Sequence, residues 1–176
     1  WGATLTLQGR QVELDSAVVL PSGKLTVQAE QGLTLGDGAR LDLAGRAFTL
    51  MDQTRYGWGG DVDLESRHGN ILQTAGSVID LSARYNQAGR FSATALDAGA
   101  GLIDLRGAIL GQASGVYDAG GTVVPFEAGG IALRAQAVAD FTALNQRLNE
   151  GGVTGSRAFQ ILSLIHISEP TRPLYI

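Results

Sequence analysis

The chain predicts an all-β fold, a right-handed parallel β-helix (a solenoid) with side loops and one short helix near 140–149, and three observations carry that expectation. Short stretches alternate apolar and polar residues with period two, the mark of strands with one buried face. One three-residue word, aliphatic-Asp-aliphatic, returns along the chain as LDL, VDL, IDL and IDL. Glycine supplies 25 of 176 residues, about twice the usual share of ~7%.

The elements follow in order. ATLTLQG (3–9), QVELD (11–15), KLTVQAE (24–30), LTLGDG (33–38) and RLDLAG (40–45) are strands of about three to six residues with Gly, Asn or Ser-Gly turns between them. Glu13, Asp42, Asp63, Asp80 and Asp104 each fall between two aliphatics, on the outward parity. The four word aspartates lie 21, 17 and 24 residues apart, an irregular period near 20 that suggests one stacked coil per repeat. A β-sandwich also offers many short strands, but it does not ordinarily repeat one word per coil or need so much corner glycine. With coils ~4.8 Å apart, about eight of them make a rod of roughly 40 Å.

QTRYGWGG (53–60), RYNQAGR (84–90) and QASGVYDAGGTVVPFEAGG (112–130) break the rhythm and read as loops thrown out from coil corners. In AVADFTALNQRLNEGG (137–152), Val138, Phe141, Leu144 and Leu148 recur at helical spacing, Asp140 suits an N-cap and Gly151 a terminator. A strand, SRAFQI (156–161), resumes afterwards.

Composition removes several function classes. Net charge is −4, and the chain has no Lys/Arg cluster, so phosphate-backbone or heparin-like partners are disfavoured. Cysteine is absent, which removes disulfides, thiol catalysis and Cys-type metal sites. No stretch approaches the ~18 consecutive apolar residues of a membrane span. The chain opens on Trp1 without a signal-peptide pattern, so we read it as an internal fragment.

Candidate chemistry is sparse. Asp42, Asp63, Asp80 and Asp104, if stacked in register, would bring carboxyls to within the ~5–9.5 Å that glycoside hydrolysis uses. No Lys, Arg or His accompanies them as a substrate clamp, and they read as solvated face residues whose like charges oppose unwanted sheet pairing. GDGARLDLAG (36–45) carries the Asp and Gly of a calcium-binding β-roll without its GGxGxD pattern. His68, in ESRHGN with Glu65 and Ser66, lacks the G-x-S-x-G context of a nucleophile elbow. We therefore expect no catalytic residue, metal or cofactor. Tyr56, Trp58, Tyr85 and Tyr117 all lie in the predicted loops, and loop Tyr and Trp suit contact surfaces. They are the candidate contact surface, against the plainer reading that they cover corners of the rod.

GGDVDLESRHGNILQTAGSVIDLSA (59–83), then GRFSATALDAGAGLIDLRGAILGQASG and GGIALRAQAVADFTALNQRLNEGGVTGSRAFQI, resemble the filamentous haemagglutinin family. These are very large Gram-negative exoproteins exported by two-partner secretion. The resemblance covers 4–161, is strongest from Gly59, and rests on the order of the words rather than on one motif. It implies a β-helical shaft segment (1–161) of a secreted or cell-surface adhesin-type exoprotein, without catalysis of its own. Implied partners are a host or neighbouring-cell surface protein or glycan, and an outer-membrane transporter during export. A cysteine-free chain suits threading through a narrow pore. The alternatives are a carbohydrate-active β-helix enzyme (lyase or hydrolase) and the carrier region of a contact-dependent toxin.

The family pattern would continue past SRAFQI with a Gly-Asp turn and another strand; here it stops. LSLIHISEPTR (162–172) is similar, codon by codon, to the translation of a transposase-based sequencing adaptor, with PLY as a variable index and Ile176 opening the next fixed segment. We read 162–176 as a non-native tail that carries no function; the plainer alternative is a natural amphipathic tail. It holds one Arg and one Glu, so setting it aside leaves the charge unchanged.

Overall fold

The computed structural model describes residues 2–163. Strand makes up 52% and helix 6% of it, so the all-β expectation holds. The chain begins with β1 (Thr4–Leu14) and β2 (Ala17–Val19), then β3 (Lys24–Leu35) and β4 (Arg40–Asp42). A hairpin of β5 (Ala47–Leu50) and β6 (Gln53–Tyr56) precedes β7 (Asp61–Ser66), β8 (Ile71–Gln73) and β9 (Val78–Asp80). Next come β10 (Arg90–Ala95), β11 (Leu102–Leu105) and β12 (Ala108–Leu110), with a second hairpin, β13 (Val116–Asp118) and β14 (Val123–Pro125). β15 (Gly130–Ala135), β16 (Ala137–Val138), α1 (Phe141–Glu150) and β17 (Arg157–Ile161) complete the order.

Among the described residues, the strands outside the two hairpins pair in parallel, in three ladders. The first stacks the front halves of β1 and β3 with β7, β10, β15 and β17. The second stacks their rear halves with β8, β11 and β16. The third is β2, β4, β9 and β12. The long strands β1 and β3 fuse the first two ladders into one sheet. Six strands stack in the first ladder among the described residues, fewer than the eight expected, because hairpins and helix absorb chain. Matching positions are 20 residues apart from Gln8 to Gln28, but 37 from Gln28 to Glu65 and 29 from Asp63 to Ser92.

Period-two alternation explains the core. Leu25, Val27, Leu33, Leu35, Leu41 and Leu43 from one pass, and Val62, Leu64, Ile71, Ile79 and Leu81 from the next, all turn inward and are fully buried. Each is worth about 1.5–3 kcal/mol of burial. On the outside, cross-strand polar pairs form: Gln8 Nε2 donates to Gln28 Oε1 (2.6 Å), Gln28 Nε2 to Glu65 Oε2 (3.2 Å) and Arg134 Nε to Gln160 Oε1 (3.1 Å).

The acidic residues, and Asn70 with them, have structural work. Asp15 accepts the Gly38 N–H (2.6 Å), Asp37 the Gly76 N–H (3.1 Å), Asp61 the Arg90 N–H (3.0 Å) and Asn70 the Leu102 N–H (3.0 Å). Each bond ties a corner of one pass to the backbone of the next. The recurring word is a turn device at three of its four sites: Asp42 accepts from the Ala44 N–H, Asp80 from the Ser82 N–H and hydroxyl, and Asp104 from the Arg106 guanidinium. The expectation of one word per coil is corrected. Asp42 and Asp80 stack in register on the third ladder, whereas Asp63 lies on the first and Asp104 on the second.

Gly23, Gly60 and Gly89 stand immediately before β3, β7 and β10, on successive passes. A Cβ on Gly89 would overlap the Gly60 carbonyl oxygen, and one on Gly60 the Gly23 carbonyl oxygen. None of the three has a positive φ. What excludes a side chain is the close approach of backbones.

α1 begins as expected: the Asp140 carboxylate accepts the Ala143 N–H (3.0 Å), and the Gly151 N–H bonds the Arg147 carbonyl. Val138 is corrected from helix to strand, pairing with Ile103 in the second ladder. The helix lies beside β12, where the Gly111 N–H reaches the Gly151 carbonyl (2.8 Å), and it adds Leu144 and Leu148 to the core. Phe141 meets Phe159 edge-on at 4.9 Å. The expected loops at 53–60 and 112–130 are corrected to parts of antiparallel hairpins. Of the predicted tail, 164–176 lie outside the described residues. The Leu162 and Ser163 N–H groups extend the ladder onto Ala135 and Gln136.

Two predictions follow from the stacking. Gly89→Ala lowers stability by about 3 kcal/mol or more, since only a backbone shift relieves the overlap, whereas Gly120→Ala, in open space at φ 70°, costs about 1–2 kcal/mol; urea unfolding of both variants reads the difference. The Asp37 carboxyl is held below the usual carboxylate range, chiefly by the Thr74 hydroxyl and the Gly76 N–H, with Arg40 adding a smaller pull. Its stabilising contribution is therefore present above the unfolded value of about 3.9 and lost as pH falls through the lower folded value. Asp37→Asn flattens the acid limb of a pH–stability curve below about pH 4, and an unchanged limb would refute the assignment.

Candidate functional site

Both hairpins and the segment 83–89 leave the chain at the same corner, between a third-ladder strand and the next first-ladder strand. They therefore stack against one another as the ladders do. Ala83 bridges to Ala113 and Asn86 to Ser114. The Asn86 amide donates to the Tyr56 carbonyl (2.8 Å), the Gly59 N–H to Gln87 O (2.9 Å) and the Ala88 N–H to Glu127 O (3.0 Å). The result is a side wall built from three separate stretches of sequence.

This wall brings the predicted aromatics together in part. The Tyr56 and Tyr85 rings pack at 4.8 Å with a 54° tilt, Tyr56 half-buried and Tyr85 52% exposed. Tyr85 sits at φ 51°, its N–H bonded to Ser114 Oγ (3.3 Å) and its ring against Gly115, where a Cβ would collide. Tyr117, 46% exposed, packs on Phe126 at 5.2 Å, and Trp58 is 53% exposed. Corner covering thus describes Tyr56, while Trp58, Tyr85 and Tyr117 present their rings to solvent. Sequence reasoning missed Phe48, Leu50, Met51, Val116 and Val123, which are exposed on the same hairpins. The available signal was AFTLMD (47–52), an apolar run without alternation. Met51 and Asp52, both at positive φ, form the tip of the first hairpin. A recess beside Tyr117 is lined by Gln87, Val124, Pro125, Phe126 and Glu127.

A second feature lies on the outer face of the first ladder. Lys24, Asp61, Asp63, Arg90, Ser92 and Ser156 line a groove of about 290 Å³, with Gly130, Ala132 and Ala158 along it. The sequence reading that no cation accompanies the aspartates is corrected for three of the four: Asp42 pairs with Arg46, Asp104 pairs with Arg106, and parallel stacking sets Lys24 beside Asp61 and brings Arg90 to the groove that holds Asp63. Asp63 accepts from the Ser92 hydroxyl (2.8 Å) and Asp61 from the Arg90 N–H (3.0 Å). Asp42, Asp80 and Asp104 belong to the other ladders.

His68 is exposed, its Nδ1 3.3 Å from Asp97, whereas Ser66 is turned into the core and buried. Ser66 and His68 therefore do not share a site. Asp37, in the segment weighed for calcium, is engaged by the Gly76 N–H. Among the described residues no group of three or more His, Asp or Glu could hold a metal ion, and no helix is long and apolar enough to cross a membrane. No protein-family model, curated protein or solved structure matches this chain.

Proposed function

We propose that the chain is a shaft segment of a filamentous haemagglutinin-type exoprotein, a right-handed parallel β-helix that is secreted or held at the surface of a Gram-negative cell. The three parallel ladders, each gaining a strand on most passes, support the architecture. The observation that carries the function is the side wall: three excursions leave one corner, pack on each other, and expose Trp58, Tyr85 and Tyr117 with Leu50 and Met51. Rings presented from a rigid stack suit contact with a protein or glycan on a host or neighbouring cell. In this reading the outer-membrane transporter meets the chain only during export, and the segment supplies reach and contact rather than catalysis.

One observation favours a second reading, a carbohydrate-active enzyme: Asp61 and Asp63 share a groove with Lys24 and Arg90. Release of reducing ends or of unsaturated products from plant and bacterial polysaccharides is its test, and absence of both removes it.

For the adhesive reading, the fluorescently labelled chain is titrated onto epithelial cells and onto Gram-negative bacteria in a flow cytometer. Saturable binding is expected to at least one of them. Replacing Trp58, Tyr85 and Tyr117 together by Ala is expected to weaken it about tenfold or more, with the thermal melt retained as the check on folding. Binding that the triple variant keeps in full, or no binding by the unaltered chain, overturns the proposal.

A further inference from the structure

We infer that the groove on the outer face of the first ladder is a binding site for a short neutral oligosaccharide. The inference stands apart from the side wall, so a failure of cell binding there leaves it standing.

Lys24 pairs with Asp61, and the next strand brings Arg90 alongside, so charges run plus, minus, plus across strands ~4.8 Å apart. Two residues further along, roughly 7 Å away, Asp63 and Ser92 form a second row in register. Gly130, Ala132, Ala158 and Ser156 continue these rows with small side chains, leaving space where longer ones would stand.

The side chains of Lys24 and Arg90 have no hydrogen-bond or ion-pair partner among the described residues, and both carboxylates keep spare acceptor capacity. Asp61 and Asp63 each use one carboxylate oxygen, on the Arg90 N–H and the Ser92 hydroxyl respectively. The groove therefore offers donors and acceptors interleaved at close spacing, with two positive and two negative side chains cancelling. With no net charge, the groove favours neither a polyanion nor a polycation. Sugar hydroxyls each donate and accept, which is the chemistry such an interleaved surface satisfies. Because the groups stand on stacked strands rather than loops, the backbone needs no ordering on binding and only the Lys24 and Arg90 side chains lose freedom.

The test uses the full chain and saturation-transfer NMR with cellotriose, triacetylchitotriose and lactose, and trigalacturonate as the charged comparator. At least one neutral sugar is expected to bind saturably in the millimolar range or tighter. Asp63→Asn and Arg90→Gln are each expected to weaken it about tenfold, the scale of one lost charge-assisted hydrogen bond. Ala132→Trp, which fills the groove from an exposed position, blocks binding without removing a polar group. Trp58→Ala and Tyr117→Ala leave it unchanged. The inference is overturned if none of the neutral sugars binds, if trigalacturonate binds in preference, or if binding survives the groove variants and is lost with the aromatic ones. Melting curves for each variant separate a lost site from a lost fold.

Discussion

The structure depends on how closely successive passes of backbone can approach at one corner. Parallel ladder bonds hold neighbouring strands ~4.8 Å apart, and before each of β3, β7 and β10 the chain turns against its predecessor with no room for a Cβ. Gly23, Gly60 and Gly89 meet that demand without any unusual dihedral. Once the corner is fixed, register is fixed. With register set, every second side chain on each strand faces the core, and a one-residue slip would turn Leu64 and Phe91 to solvent.

The side-chain bonds at the corners reinforce the same stacking. Asp15, Asp37, Asp61 and Asn70 each accept an N–H from the following pass, satisfying backbone groups that the ladders leave over at turns. This explains a net-acidic chain whose carboxylates are scattered rather than gathered: most serve a local turn or a neighbouring corner. Asp61 and Asp63 differ because they share a face with Lys24 and Arg90 and retain spare acceptor capacity. A structural role and an open groove coexist in the same two residues.

Much of this was legible in the sequence. Strict alternation in KLTVQAE and in the VDL and IDL words marks the buried face, and Asp140 and Gly151 mark the helix ends because capping is a local interaction. The hairpins were not legible as strands. β5 is exposed along its whole length, so burial imposes no period on it. The allocation of the aspartate words among ladders was also hidden, since excursions of different length separate equivalent positions and blur any fixed repeat. Lys24 and Arg90 are far apart in sequence, and only the register brings them beside the same carboxylates. The sequence set all four aromatics in loops, whereas Tyr56 and Tyr117 lie in hairpin strands, and which rings face outward depends on stacking between segments that local pattern does not encode.

The shared corner from which the hairpins leave has a consequence for how such a chain can change over generations. The ladders require only that each pass return to its glycine in register; they set no limit on what the chain does between leaving one strand and rejoining the next. Equivalent positions separated by 20, 29 or 37 residues stack equally well. Insertions, deletions and exchanges at that corner are therefore nearly decoupled from folding, and lengthening an excursion adds only a slowly growing closure entropy. One side of the molecule is free to vary while the rest is held by geometry, an arrangement that lets the side wall be rewritten without redesigning its support.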